Sequence, residues 1–301
     1  MTYSLTFPGN LAIGLSAAPE MSRWLQEFSR IMMLHEENHP YFQYRIHFVQ
    51  SSFFQCWQKV VSSCSAIDSD RLPKKGWGTD RFGRVQLWFH PRASELWCEI
   101  DPSSDRTEIL LSMNQALSTV YYVLRRIGGM PVHAAFVAWK GKGVLLMGSS
   151  GAGKTTCCTR LPGSWTVYSD DQALILPVSA AGFEAHPLPT WSDLVLRNLD
   201  KSWDISRSVP LCAVAVLVQG DADEIVPLDR SRGAVALAQS AAYVSLQGFS
   251  GSQSRIAEVR NELLNAAIGL AKTIPFYRLS CSAAGNFWSG IEHVLKNSQP
   301  G

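Results

Sequence analysis

Eight consecutive residues, Gly148-Ser149-Ser150-Gly151-Ala152-Gly153-Lys154-Thr155, satisfy the pattern G-x-x-x-x-G-K-[ST] at every fixed position. Residues 143–147 (GVLLM) before them read as a short buried strand. Residues 156–161 after them read as a helix that Pro162-Gly163 stops. Strand, glycine-rich turn and helix start together make an anion site. The first N–H groups of a helix have no partner within it, and the helix dipole adds about half a positive charge there. Glycines at 148, 151 and 153 let the backbone close on a phosphate with no Cβ in the way. Lys154 then reaches the β- and γ-phosphates, and the Thr155 hydroxyl faces Mg²⁺. The expectation is a nucleoside triphosphate bound by residues 148–155 together with Thr156.

A second feature follows the loop helix. Residues 165–168 suit a strand, and Asp170-Asp171 sit at or just past its end, where α/β sheets meet their ligands. Two carboxylates close after a Lys-Thr pair have two tasks in phosphoryl transfer. One helps to hold Mg²⁺, and the other accepts the proton of an attacking hydroxyl. Neighbouring strand residues point to opposite faces, so both can meet the metal only if the strand has ended. His133, in the apolar run 132–139, is a third candidate, weighed against a satisfied core histidine.

The chain has 301 residues, 46% hydrophobic and 17% charged, enough apolar material for one large domain or two of moderate size. A net charge of +2 without a dense Lys/Arg cluster argues against a nucleic-acid surface. There is no signal-peptide pattern, and no apolar run approaches the roughly 18 residues of a membrane span. Seven cysteines with no C-x-x-C read as reduced thiols, not as a disulfide framework or zinc site. A cytoplasmic protein without membrane or nucleic-acid partners is expected, and a homo-oligomer is left open.

Residues 1–129 read as a mixed α+β N-terminal region, and residues 130–301 as the nucleotide-binding domain. Strand signals fall at 3–7, 44–54, 84–89 and 95–100, the last two as an antiparallel hairpin with one buried face. A 3–4-spaced stripe of Met21, Trp24, Leu25, Phe28, Ile31 and Met32 reads as the core face of a helix. Residues 57–61 are ambiguous, 68–78 read as a loop, and 107–127 as a helix ending at Gly128-Gly129. His35-Glu36-Glu37-Asn38-His39 matches H-E-x-x-H, but Pro40 places it at a fraying helix end and argues against metal. Residues 132–139 read as one strand, and 140–143 as a tight hairpin turn feeding the strand of the loop. Further on, residues 210–218 and 224–228 are expected to pair antiparallel, and 247–254 to form a flexible loop, a plain surface connection ahead of a lid. Helices are expected at 230–239, 257–273 and 286–295, with a closing strand at 274–279.

The combination of residues 132–135 (VHAA), the loop 143–155, and Ser169-Asp170-Asp171 resembles the bacterial HPr kinase/phosphorylase family and its relatives. Among these are serine kinases of peptide-modification clusters, including lasso-peptide clusters. A further similarity is to the SynChlorMet-type cassette proteins found beside radical enzymes and short precursor peptides. The resemblance implies a phosphoenolpyruvate-carboxykinase-like P-loop kinase domain, a mixed sheet with a hairpin before the phosphate loop, after a small α+β region. By the same resemblance Gly148 to Thr155 bind triphosphate and metal. Asp170 is the general base, Asp171 lies near the metal, and His133 is close to that aspartate and the phosphates. The downstream signature of the true HPr enzymes is missing, with residues 184–194 in its place, which argues against HPr as substrate. Glu184 or Asp193 could supply an acidic ligand instead.

The expected function is an ATP- and Mg²⁺-dependent kinase acting on a Ser/Thr hydroxyl of a peptide or small protein. Lys154, Asp170 and His133 would be the catalytic residues, with Thr155 and Asp171 on the metal. A small-molecule hydroxyl kinase and a non-catalytic, nucleotide-dependent peptide-binding module are the alternatives. A GTPase switch is disfavoured because no N/T-K-x-D signature is present. Arg197, Arg207, Arg230, Arg232 and Arg255 are open choices for the cation that takes up charge on the transferred group.

Overall fold

The computed structural model describes residues 2–37, 41–51, 72–178 and 182–297. These residues form a mixed α/β structure with two mixed sheets. They divide into two compact units. One comprises residues 1–123, 191–206 and 246–256, and the other residues 124–190, 207–245 and 257–301. Among the described residues no helix is long and apolar enough to cross a membrane.

In the first unit, seven strands run in the order β3(His35–Glu36), β1(Thr2–Phe7), β2(Leu11–Ala17), β4(Tyr44–Gln50), β7(Glu95–Ile100), β6(Val85–Phe89), β5(Gly78–Phe82). The β2–β4 and β4–β7 pairs are parallel and the rest antiparallel. The apolar stripe is the core face of α1(Ser22–Ile31): Leu25, Phe28 and Ile31 are buried, with Met21 and Met32 at its ends. Trp24 stacks on Phe28 and leans on Phe48 of β4, both at 4.9 Å. Burying each such side chain contributes about 1.5–3 kcal/mol.

Two expectations for this unit are corrected. The β6–β7 hairpin forms, but Leu96 to Ile100 are all buried, so both faces of β7 are covered instead of one. His35 and Glu36 pair with Ser4 and Tyr3 as a short strand, so the helical spacing of the H-E-x-x-H match is absent. Asn38 and His39 lie outside the described residues, as do residues 57–61 and the end of the expected 44–54 strand. The expected loop at 247–254 forms up to Gln253, which begins a helix, and it is held by Gly83 donating to Gly248 O and Ser250 to Arg81 O.

In the second unit the central strands β10(Lys142–Met147), β14(Val209–Gln219) and β16(Phe276–Cys281) are parallel. Antiparallel β9(Ala134–Trp139) and β11(Trp165–Ser169) extend one side and β15(Glu224–Pro227) the other. The beginning of β14 also pairs with β13(Gly182–Pro187). That strand continues through β12(Ala173–Val178) to β8(Met130–Val132). The β9–β10 connection is the two-residue turn Lys140-Gly141, with φ of +50° and +75° at its centre. Left-handed φ at both positions is the type I′ geometry that matches strand twist.

Two expectations are corrected here. The apolar run 132–139 breaks at His133, where the chain leaves β8 and enters β9. β15 pairs with β16 rather than with β14, because β16 lies parallel beside β14 and occupies the place between them. Helices α2(Arg106–Arg125), α5(Arg230–Ser245), α6(Gln253–Ala271) and α7(Phe287–Asn297) fall near their expected positions. One core cluster joins Val144 and Leu146 of β10 to Cys157 and Cys158 of α3(Lys154–Arg160), and to Phe287, Ile291 and Leu295 of α7. This packing fixes the helix that follows the glycine-rich loop.

Candidate functional site

Strand register brings three separated segments to one end of the second unit's sheet. Met147, the last residue of β10, stands opposite Ala134, the first of β9. Ser169 at the end of β11 faces Phe136, and Ala173 at the start of β12 faces Val132. The phosphate loop, His133 and the Asp170-Asp171 bend therefore all leave the sheet at that end. It is also the carboxyl end of parallel β10 and β14, where sheets of this kind meet ligands.

The loop has the geometry its glycines suggest. Gly151 and Gly153 take φ of +80° and +101°, open to solvent on the side where a Cβ would project. Gly148 is needed for another reason, since a Cβ there would lie 2.6 Å from that of Ala152. Lys154 folds back over the loop and donates to Gly148 O at 3.0 Å and Ser149 O at 3.3 Å. Gln219, at the end of β14, donates to Gly151 O at 3.0 Å and steadies the loop from the sheet. Thr155 and Thr156 are exposed at the first turn of α3.

Burial pulls the Lys154 ammonium below its usual value, while Asp171 and then Asp170 push it back up. The Cys158 thiol is pushed up to about 12, mainly by burial and next by the charge of Asp170. The strand has ended before the pair, so strand alternation does not force the two carboxylates apart.

Each carboxylate has its own support. Thr190 donates to Asp170 Oδ1 at 2.8 Å. His133 Nε2 lies 3.2 Å from Asp171 Oδ1, so the histidine contacts the second aspartate of the pair. Ser240 of α5 holds both main-chain groups of His133, accepting from its N–H at 2.9 Å and donating to its carbonyl at 3.1 Å. The exposed ring of Tyr243, one turn on, lies 5.1 Å from the imidazole. Thr190, Ser240, Tyr243 and Gln219 carried no sequence signal, because none belongs to a local pattern.

The other candidates separate. Asp193, in α4(Trp191–Val195), is buried in the first unit, with one oxygen on Arg197 at 2.8 Å and the other on Lys201 at 2.5 Å. Glu184 accepts from Ser208 at 2.6 Å. Arg255 pairs with Asp80 at 3.0 Å in the first unit. Arg230 and Arg232 lie in the first turn of α5, where Arg232 N–H donates to Asp229. Arg207 lies over the Tyr168 ring at 4.9 Å, two residues before Asp170. Thr155 and Asp171 offer hard oxygen donors of the kind Mg²⁺ takes.

A search of curated proteins finds no match to this chain. One protein-family model matches residues 96–296, more than half of the chain, including the loop, His133 and both aspartates. The chain thus belongs to the ScmC family, the SynChlorMet cassette protein ScmC.

Proposed function

We propose that this chain is an ATP-dependent phosphotransferase that moves the γ-phosphoryl group to a Ser or Thr hydroxyl of a peptide or small protein. The observation that carries the reading is the convergence of the complete glycine-rich loop, His133 and the Asp170-Asp171 bend at one end of the sheet. The finer fold reading, a phosphoenolpyruvate-carboxykinase-like kinase domain related to HPr kinase, draws support from the β9–β10 hairpin directly before the loop.

In this reading the N–H groups of residues 148–155 cradle the phosphates, and Lys154 turns from the Gly148 and Ser149 carbonyls to their oxygens. Thr155 and Asp171 would hold Mg²⁺, which would supply charge neutralisation of the phosphates. His133 fixes the orientation of Asp171. Thr190 occupies Oδ1 of Asp170 and leaves the other oxygen to take the acceptor's proton. Arg207, over the ring of Tyr168 two residues before Asp170, would take up charge on the transferred group.

The test is intact-mass analysis of short Ser- and Thr-containing peptides, those encoded beside the gene included, after incubation with the protein and Mg·ATP. The expected result is one phosphate gained by a peptide, lost with Lys154→Ala and with Asp170→Asn. No phosphorylated product from any peptide, with ATP turnover unchanged by Asp170→Asn, would overturn the reading.

A further inference from the structure

Two thiols in the second unit, one on the helix after the glycine-rich loop and one on a neighbouring strand, face each other. Cys157 is in the first turn of α3 and Cys281 is the last residue of β16, 124 positions later. Their sulfurs are 3.9 Å apart, and both cysteines are free. The elements that carry them are already tied together. Arg160, one turn along α3, donates to Ser282 O at 2.7 Å and to Gly285 O, and lies over the Phe287 ring at 5.3 Å. Asp223 holds the Ser282 N–H at 2.7 Å. The spacing of the two sulfurs is thus set by rigid neighbours on both sides, not by a mobile segment.

We propose that Cys157 and Cys281 are a thiol-oxidation site, closing to a reversible disulfide that displaces the support of the phosphate loop. A disulfide needs its sulfurs about 2.0 Å apart, so the pair must close by roughly 2 Å. Cys281 is half-buried and gives a small oxidant its approach, whereas Cys157 is shielded. Hydrogen peroxide is a sufficient oxidant. One sulfur displaces hydroxide from the peroxide and becomes a sulfenic acid. The other then attacks that sulfur and water leaves, so two thiols and one peroxide give one disulfide and two waters. A dithiol reductant reverses the step.

The consequence falls on the loop from two directions. The Cys157 N–H donates to Gly153 O at 2.8 Å, within the turn that opens the helix. Gln219, directly opposite Cys281 in the β14–β16 register, holds Gly151 O. Pulling Cys157 toward Cys281 shifts the loop's helix end relative to the glutamine that anchors its centre. If the nucleotide reading above holds, oxidised protein binds triphosphate roughly tenfold or more weakly, since displacements of about 1 Å have effects of that size or larger.

The experiment treats the full chain with hydrogen peroxide and maps its peptides without reduction. The expected product is a crosslink between the peptide holding Cys157 and that holding Cys281, reversed by dithiothreitol. It should persist in Cys158→Ser and disappear in Cys157→Ser and Cys281→Ser. Hydrogen exchange at residues 148–160 should change on oxidation in the parent chain and not in Cys281→Ser. Neither readout needs nucleotide, so they decide the thiol pair even if the chain binds no triphosphate. Both thiols remaining alkylatable after peroxide, a crosslink that Cys158→Ser removes, or unchanged exchange in crosslinked protein would overturn the proposal. The affinity of a fluorescent ATP analogue, before and after oxidation, then reads the effect on the proposed function separately.

Discussion

His133 Nε2 stands 3.2 Å from Asp171 Oδ1, and this contact joins the two places where the chain breaks out of a strand at the same sheet end. His133 follows β8 and Asp171 precedes β12, two strands that pair with each other. Ser240 fixes the histidine through its main chain, so the imidazole can be removed while the backbone clamp stays. If Asp171 holds Mg²⁺ as proposed, a partner that orients its carboxylate is worth about 10- to 100-fold in metal affinity or activity. His133→Ala is expected to lower phosphopeptide formation by that order with the melting temperature nearly unchanged. His133→Gln, which keeps a donor, should recover part of the loss. Initial rates at several Mg²⁺ concentrations check this, and rates equal to the parent would remove His133 from the site.

The loop glycines should fail for different reasons. A Cβ at Gly148 would sit 2.6 Å from the Ala152 Cβ, so Gly148→Ala forces the loop apart. Overpacking of this kind costs about 1–3 kcal/mol. Gly153 has no atom within 4 Å of a new Cβ, but its φ of +101° is far from what an L residue adopts easily. Gly153→Ala therefore carries a backbone cost of about 1–3 kcal/mol. Gly153→Asn, the side chain most tolerant of left-handed φ, should retain more stability than Gly153→Ala, whereas Gly148→Asn should be worse than Gly148→Ala. Thermal unfolding of the four variants gives the ordering.

The contrast shows what a linear sequence carries. The glycine-rich loop between strand and helix was legible because all three lie within about twenty consecutive residues, and the bend at Asp170-Asp171 because it follows the next strand at once. The hairpin before the loop was legible from Lys140-Gly141. Thr190 and Ser240 were not, because they meet Asp170 and His133 from 20 and 107 positions away. The break at His133 was hidden inside an unbroken apolar run, since both flanking strands are buried and neither shows alternation. The place of β16 between β14 and β15 was equally hidden. A parallel pairing leaves no short turn in the sequence to announce it.

Lys154 gives a pH dependence with a definite sign. Burial disfavours its charged form, so its folded pKa lies below the unfolded value of 10.5. Between those two values the unfolded chain binds more protons than the folded one, and stability from this group rises with pH. Below the folded value both states are charged and the desolvation cost is present in full. Lys154→Met removes this dependence together with the charge. The melting temperature of the parent relative to Lys154→Met is thus expected to rise as pH increases toward 10.5. A difference that stays flat or falls over that window would contradict the burial account.

The last prediction concerns Arg255, one of the arginines that sequence alone left open for phosphate contact. Its guanidinium meets both oxygens of Asp80 at 3.0–3.2 Å and lies over the Phe89 ring at 5.1 Å, all within the first unit. Asp80 is buried, so its charge depends on this partner. Breaking a buried pair by removing one member costs about 3–5 kcal/mol, while replacing both with apolar side chains is often neutral. Arg255→Met should therefore unfold at markedly lower denaturant, and the Arg255→Met/Asp80→Leu double variant should regain much of the loss. A direct role in phosphate binding predicts the opposite ordering of effects: both variants would lose nucleotide affinity equally, with stability little changed in either. Denaturant unfolding and nucleotide titration of the single and double variants separate the two, and the buried bidentate geometry favours the structural outcome.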